Sequence, residues 1–210
     1  MTLRFVHPST HLIAGPTCSG KTLFVKRIIM EDMIEAPPAR KVWIYSEWQE
    51  SYSELKESNP EIEFLTSIDE SLYESFDPHV TNLLVIDDKM SNKRDSSQIS
   101  HYFTEGSHHR NLTIIYIVQN LFDKGKEHRT VSLNSQYITL FRNPRDRLQI
   151  SILARQMYSQ DHKFMIESYF DAIKEAFSYL LVDLRPDTPD NYRLRAHIFP
   201  SESTDVYIKK

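Results

Sequence analysis

The feature that most constrains this chain is an octapeptide, residues 15–22, with the sequence GPTCSGKT. It matches the pattern G-x-x-x-x-G-K-[ST] and lies between a short apolar run, Thr10–Ala14, and a segment with apolar residues at helical spacing, Lys21–Ile34. Glycine is scarce, with 4 in 210 residues, and two of these, Gly15 and Gly20, occupy the positions that the pattern requires. The sequence therefore predicts a strand, a tight loop and a helix in succession.

The loop has the composition of a triphosphate-binding site (Walker A motif). Backbone N–H groups at a helix N-terminus meet phosphate with hydrogen-bond donors and with the positive end of the helix dipole. Lys21 is expected to reach the β- and γ-phosphates, and the Thr22 hydroxyl to ligate Mg²⁺. We therefore expect ATP with Mg²⁺ to be hydrolysed here, bound by Gly15, Pro16, Thr17, Cys18, Ser19, Gly20, Lys21 and Thr22.

A second element is the run LLVIDD at residues 83–88, which is typical of a buried strand that ends in acids (Walker B motif). Such a strand places carboxylates at the sheet edge beside the phosphate loop. Asp87 is expected to hold the water shell of Mg²⁺, and Asp88 to orient or deprotonate the attacking water.

A third element is Gln119, which follows the apolar run Thr113–Val118. A polar amide at the end of this strand is where a sensor of the γ-phosphate is expected, and Gln119 could hydrogen-bond both the phosphate and the lytic water. The alternative is a glutamine that makes hydrogen bonds within the turn at the strand end.

The rest of the sequence alternates short apolar runs with longer helical patterns, which predicts an α/β fold with a mainly parallel central sheet flanked by helices. The predicted strands are Thr10–Ala14, Lys41–Tyr45, Glu61–Leu65, Leu83–Asp87, Thr113–Val118, Tyr137–Phe141, Tyr179–Leu184 and Arg193–Ile198. The predicted helices are Lys21–Ile34, Ser97–His108, Arg145–Met157 and His162–Ala176. Apolar residues at nearly every position of LLVID and TIIYIV indicate central strands that are buried on both faces.

The length suits a single domain over residues 1–200, followed by a solvated tail at 201–210. Within it we expect a core at about residues 5–157 and a C-terminal helix with strands at about 158–200. Apolar residues recur at spacings of three and four in that helix, which we interpret as core or subunit packing: Phe164, Met165, Tyr169, Ile173 and Phe177.

Composition excludes some classes of protein. The net charge of −4 excludes a globally basic nucleic-acid coat, so a DNA contact would need a local basic patch. The single cysteine, Cys18, excludes an intrachain disulfide and is typical of a reducing compartment. Because no run of 18 apolar residues and no signal pattern is present, we expect no membrane span and an intracellular location.

With these elements in this order, the chain resembles P-loop ATPases of the additional-strand (RecA/FtsK-like) type, in the FtsK/HerA superfamily. One supporting feature is the short spacing from the acidic strand, through SQISHYFTEGSHHRN, to the strand that ends before Gln119. The other is the segment SLNSQYITLFRNPRDRLQISILARQM, a further strand followed by an arginine-bearing loop and a helix.

Within that superfamily the chain most resembles the DNA-packaging ATPases of poxviruses, Polinton elements and adintoviruses. The stretches FVHPSTHLIAGPTCSGKT, SHHRNLTIIYIVQNLF and SLNSQYITLFRNPRDRLQ carry this likeness, over roughly residues 5–157. One departure is that many relatives have Asp-Glu where this chain has Asp87-Asp88. The shorter side chain still offers a carboxylate to the attacking water.

The resemblance implies a homo-oligomeric ring, often a hexamer, that moves double-stranded DNA into a preformed capsid, with a capsid or portal protein as partner. It implies assembly in the host nucleus or cytoplasm, where the protein could join the virion. It also implies that an arginine of a neighbouring subunit completes each site, with Arg142, Arg145 and Arg147 as candidates and Arg110 as a weaker one. Each could instead form a structural salt bridge.

Two other functions fit a P-loop in a chain of this length. A nucleoside or nucleotide kinase would carry an arginine-rich lid, whereas the segment SEWQESYSELKESNPE after the second predicted strand is acidic. A membrane-associated assembly ATPase of the filamentous-phage type would need a membrane anchor, which a partner would have to provide.

Overall fold

A computed structural model describes residues 3–87, 93–122, 126–145 and 147–209. Its strands are β1 (Thr10–Ala14), β2 (Arg40–Tyr45), β3 (Ile62–Leu65), β4 (Asn82–Asp87), β5 (Leu112–Val118), β6 (Tyr137–Phe141), β7 (Tyr179–Asp183), β8 (Leu194–Ala196) and β9 (Asp205–Tyr207). Its helices are α1 (Lys21–Met30), α2 (Glu50–Ser58), α3 (Glu70–Ser75), α4 (Lys93–His101), α5 (Ser107–His109), α6 (Lys126–Leu133), α7 (Leu148–Met157) and α8 (His162–Ala172). A π-helical turn, Tyr102–Gly106, joins α4 to α5, and a 3-10 turn, Asp190–Tyr192, precedes β8. None of the helices in these ranges combines the length and the apolarity needed to cross a bilayer.

The described strands form one sheet in the order β3-β2-β4-β5-β1-β6-β7-β8-β9. Strands β1 to β6 are parallel to one another, whereas β7, β8 and β9 add an antiparallel extension beyond β6. In this order β5 lies between β1 and β4. The predicted α/β fold with a mainly parallel sheet is therefore confirmed.

Helices cover both faces of the sheet because the central strands are apolar on both sides. In β5, Ile114 and Tyr116 belong to one apolar cluster, which also contains residues of α7 and α8. Ile115 and Ile117, which point the other way, belong to a second cluster together with residues of α1. The two clusters place one helical layer on each face.

The predicted strands are all present, with ends within two residues of the prediction. The helices differ more. Helix α1 ends at Met30 and α8 at Ala172, each four residues before the predicted end, and α7 begins at Leu148 rather than at Arg145. Helices α2, α3 and α6 and strand β9 were not predicted.

Two features of the C-terminal region differ from expectation. Residues 205–207 of the expected tail are largely exposed, but they form β9, which pairs with β8 at the edge of the sheet. In the apolar stripe, Met165, Tyr169 and Ile173 are buried as expected. Phe177 lies beyond the end of α8 and is 64% exposed, so it is not a core residue.

A buried histidine lies in β1. The ring of His11 stacks on Tyr137 at a centroid distance of 4.7 Å and meets the edge of Phe5 at 4.7 Å, and its Nε2 lies 2.9 Å from the Ser9 hydroxyl. Burial, with a smaller contribution from the charge of Arg185, lowers the pKa of His11 to about 3. His11 is therefore neutral in the folded protein at pH values where an unfolded chain would protonate it.

This histidine should make folding sensitive to mild acid. Because the folded-state pKa lies below the unfolded value, the stabilising contribution is complete above the unfolded pKa and is lost as the pH falls toward the folded pKa. Between about pH 7.5 and about pH 5, the wild type should lose about 2 kcal/mol of unfolding free energy through His11. Urea denaturation should show this loss in the wild type and a correspondingly smaller one in His11→Gln. The control His109→Gln, at an exposed position, should keep the wild-type loss, and equal losses in wild type and His11→Gln would contradict the assignment.

Candidate nucleotide-binding site

The site lies at the carboxyl edge of the parallel sheet, where three strands end side by side. Ala14, the last residue of β1, pairs with Val118 of β5, and Asp87, the last residue of β4, pairs with Ile117 of β5. The loop after β1, the Asp87 carboxylate and Gln119 after β5 are therefore brought to one place. This is the arrangement of ligand sites at the carboxyl ends of parallel strands.

The backbone of the loop explains why glycine stands at both positions where the G-x-x-x-x-G-K-[ST] pattern requires it. A β-carbon at Gly15 would lie 2.6 Å from the Phe141 β-carbon, so a larger residue does not fit. Gly20 has a φ of 101°, in the left-handed region that glycine tolerates, and Cys18 is also left-handed, with a φ of 61°. Turns with left-handed residues direct successive N–H groups into a concave anion-binding surface.

Lys21 begins α1 and folds back over the loop. Its Nζ donates hydrogen bonds to the backbone oxygens of Gly15 at 2.6 Å and of Pro16 at 2.8 Å, and the residue is buried. The ammonium group is therefore held inside the curve of the loop, where a bound polyphosphate would meet it.

Thr22 and Asp87 form a hydroxyl–carboxylate pair below the loop. The Thr22 Oγ1 donates to Asp87 Oδ2 at 3.2 Å, and the Tyr52 hydroxyl of α2 donates to the same oxygen at 2.7 Å. Asp87 and Tyr52 are both buried. Two donors from different helices thus fix the orientation of this carboxylate at the end of β4.

These groups fit a magnesium-bound polyphosphate. In the described part of the chain no cluster of three or more His, Cys, Asp or Glu side chains could hold a metal ion by itself. Mg²⁺ at nucleotide sites instead uses one or two protein oxygens together with phosphates and water, which the Thr22–Asp87 pair can supply. The Ser19 hydroxyl oxygen, buried without a hydrogen-bond partner among the described residues, also suits a loop that closes on an anion.

A cavity of about 550 Å³ opens beside the loop. Besides residues 17–23, it is lined by Gln49, Asp87, Gln119 and Phe177. A larger cavity of about 950 Å³ lies at the β7–β9 side, lined among others by Arg185, Arg195 and Glu202. We place the candidate site in the smaller cavity, because it contains Lys21, Thr22 and Asp87.

The structure brings most of the predicted site residues together. Gln119 is exposed at the end of β5 and lines the same cavity as the loop and Asp87, so it lies where the predicted sensor should lie. Asp88, the predicted base, lies outside the described residues. The roles of these residues in hydrolysis stay predictions.

The candidate arginines are not part of this cavity. Arg142, Arg145 and Arg147 are exposed in the segment between β6 and α7, and the Arg147 guanidinium lies 5.2 Å above the Phe170 ring. Within the described ranges no carboxylate forms an ion pair with any of the three. Arg110, the weaker candidate, does form the alternative salt bridge, with Glu74.

Three residues at the site that are distant in sequence from the phosphate loop were not assigned to it from the sequence. Gln49 directly precedes α2 and Tyr52 lies in its first turn, in a segment interpreted only as acidic, where two buried residues, Tyr52 and Leu55, are too few to indicate a helix. Phe177 was assigned to the apolar stripe of the last helix. Each reaches the site through tertiary packing that the local pattern does not specify.

Comparison with known proteins shows which class of enzymes shares this fold. No protein-family model matches the sequence, and no curated protein gives a significant match. Several solved structures are similar in fold, at sequence identities that establish no more than the fold. These structures include nucleoside triphosphatases and ATPases, so the chain has a fold that such enzymes use.

One similar structure is the genome packaging NTPase B204 from Sulfolobus turreted icosahedral virus 2, in complex with ATP-γ-S, with a TM-score of 0.54 and 12% identity over 97% of this chain and 98% of that one. Another is EssC (ATPases 2 and 3) from Geobacillus thermodenitrificans, with a TM-score of 0.51 and 11% identity over 96% of this chain and 39% of that one. A third is the KaiC-like protein PH0186 from Pyrococcus horikoshii OT3, with a TM-score of 0.52 and 13% identity over 96% of this chain and 90% of that one.

The hydrogen bond from Tyr52 should stabilise the fold through Asp87. Tyr52→Phe removes the hydroxyl with little change in volume and leaves the buried carboxylate with one donor fewer. We expect a loss of about 1.5–3 kcal/mol in the unfolding free energy, since hydrogen bonds to charged groups are worth about that much. Urea denaturation at neutral pH measures the loss.

The matched control is Tyr102→Phe. Tyr102 is equally buried, but its hydroxyl has no hydrogen-bond partner in the part of the chain that is described, so its removal should leave stability unchanged or slightly higher. Equal losses of unfolding free energy in the two variants would show that the hydrogen bond from Tyr52 to Asp87 does not stabilise the fold.

Proposed function

We propose that the chain is an ATPase that cleaves the bond between the β- and γ-phosphates of ATP in the cavity beside residues 15–22. The observation that carries the proposal is the convergence of the Lys21 ammonium, the Thr22–Asp87 pair and Gln119 at the carboxyl edge of the sheet. Phosphoryl transfer depends mainly on positioning and on charge stabilisation, and these are the groups that supply both.

The chain's own residues would act as follows. Lys21 exchanges its hydrogen bonds with the Gly15 and Pro16 carbonyls for bonds to the β- and γ-phosphate oxygens. Thr22 and Asp87 hold Mg²⁺, which offsets the negative charge of the phosphates when bound. Gln119 orients water for attack on the γ-phosphorus, and Asp88, as predicted from the sequence, accepts the proton of that water.

We further propose that hydrolysis drives double-stranded DNA into a viral capsid. Two observations support an ATPase of the additional-strand, FtsK/HerA type: β5 is inserted between β1 and β4, and the fold resembles that of B204, a genome packaging NTPase. On this proposal the chain acts during virus assembly in an infected cell, with DNA and a capsid or portal protein as partners. The kinase and the membrane-associated assembly ATPase have no comparable support.

The proposed motor is a homo-oligomeric ring in which one of Arg142, Arg145 and Arg147 enters the site of a neighbouring subunit. Their exposure, and the absence of ion pairs to them within the described residues, support a role outside this subunit. An arginine supplied in this way can contribute about 10³ to 10⁵ in rate.

Loss of the loop lysine tests the ATPase. Lys21→Ala removes the positive charge at the phosphates, so ATP turnover should fall at least about 100-fold, the scale seen when one charge-stabilising donor is removed. The matched control is Lys41→Ala. Lys41 pairs with Glu61 and lies at the amino end of β2, away from the carboxyl edge that carries the site, so its removal should leave turnover unchanged. Turnover in Lys21→Ala equal to that of Lys41→Ala would refute the site.

Duplex DNA tests the motor. We expect linear double-stranded DNA to raise the rate of ATP hydrolysis, and the effect to weaken steeply with salt because contacts to DNA phosphates release counterions. The rate is measured by phosphate release with and without DNA over a range of salt concentrations. Lys21→Ala with DNA is the background control. A flat rate with DNA, together with phosphorylation of an added nucleoside or nucleotide, would favour the kinase instead.

A further inference from the structure

Phe177 occupies an unusual position beside the phosphate loop. It lies between α8 and β7, its backbone is left-handed with a φ of 63°, and its side chain is 64% exposed. A β-carbon built at Gly20 would lie 3.3 Å from Phe177 Cδ1, and the ring lines the same cavity as the loop. A large apolar side chain is thus held open to solvent at the edge of a polar site, in a conformation that non-glycine residues rarely adopt.

The two sides of this cavity differ in chemistry. In the sheet, β5, β4 and β2 lie on one side of β1, and β6 and β7 lie on the other. The polar lining residues Gln49, Asp87 and Gln119 lie at or after the carboxyl ends of the strands on the first side. Phe177 comes from the second side, two residues before the start of β7. Leu23, the residue after Thr22, is 55% exposed and also lines the cavity.

This division sets the direction in which a nucleotide would lie. Asp87 and Gln119 mark the end for the γ-phosphate, so the nucleoside must extend toward the opposite side. Leu23 and Phe177 are the exposed apolar residues that line the cavity within the described ranges. An aromatic ring there offers a flat surface of the kind on which nucleobases stack.

We propose that Phe177, together with Leu23, forms the platform on which the base of the bound nucleotide stacks. The proposal rests on the proposed nucleotide-binding function and extends it from the phosphates to the nucleoside. Because stacking on an aromatic face tolerates any base, the platform should accept purine nucleoside triphosphates as a class, with little discrimination between adenine and guanine.

The test compares a nucleotide with a ligand that has no base. Calorimetric titrations with Mg²⁺ present measure the affinity of the wild type, Phe177→Ala and Phe177→Trp for ATP, GTP and inorganic tripolyphosphate. Phe177→Ala should weaken the affinity for ATP and GTP by about 5- to 100-fold, as expected for the loss of one stacked base. It should leave the affinity for tripolyphosphate within about twofold of the wild-type value. Phe177→Trp should retain nucleotide binding because it keeps an aromatic face.

A matched control is Tyr192→Ala, which removes an exposed aromatic side chain that does not line this cavity and should change neither affinity. Equal weakening of ATP and tripolyphosphate in Phe177→Ala would overturn the platform, since it would mean that Phe177 supports the loop through Gly20. Unchanged ATP affinity in Phe177→Ala would overturn it as well. Failure of the wild type to bind either ligand would instead overturn the nucleotide site itself.

Discussion

The site depends on the register of three parallel strands, β1, β5 and β4. Because each of them is buried on both faces, a shift of one residue would exchange the side chains of the two apolar clusters. The register is therefore held by packing over the whole length of the sheet. Its consequence at the carboxyl edge is that the loop after Ala14 and the carboxylate of Asp87 are fixed across the width of one intervening strand, β5.

A second set of contacts fixes the loop from the other side. Phe24 of α1 packs against Phe141 and Tyr179, with ring centroids at 5.8 and 4.6 Å. One turn further on, the Arg27 guanidinium lies 3.7 Å above the Phe199 ring and pairs with Glu202. The helix that begins at the phosphate loop is therefore held in place by contacts with the antiparallel part of the sheet and the segment that follows β8. The region after residue 178 thus helps to position the site.

The sequence predicted the elements whose signal is local. The loop pattern, the apolar runs of β4 and β5 and the polar residues at their ends are each readable within a few positions, and the structure brings Lys21, Asp87 and Gln119 to one cavity as expected.

The rest of the site depends on contacts that are distant in sequence. Tyr52 stands in an acidic segment whose helix buries only Tyr52 and Leu55, so its apolar pattern is too sparse to indicate a helix, and its bond to Asp87 joins residues 35 positions apart. Phe177 continues the helical spacing of α8, but the helix ends at Ala172, and a chain that turns after that point carries the ring to the phosphate loop instead.

The charges at the cavity also bear on how hydrolysis would be completed. Among the described lining residues Lys21 is the one cationic side chain, and a triphosphate carries more negative charge than one lysine and one Mg²⁺ neutralise. Charge on the transferring group must be stabilised further in the transition state. The arginines after β6 begin next to Phe141, which lies against Gly15 of the loop, yet none of them is among the described residues that line this subunit's cavity. On the proposed function, one of these exposed arginines supplies the missing positive charge to the site of a neighbouring subunit. Fast ATP turnover then requires that the homo-oligomer has already assembled.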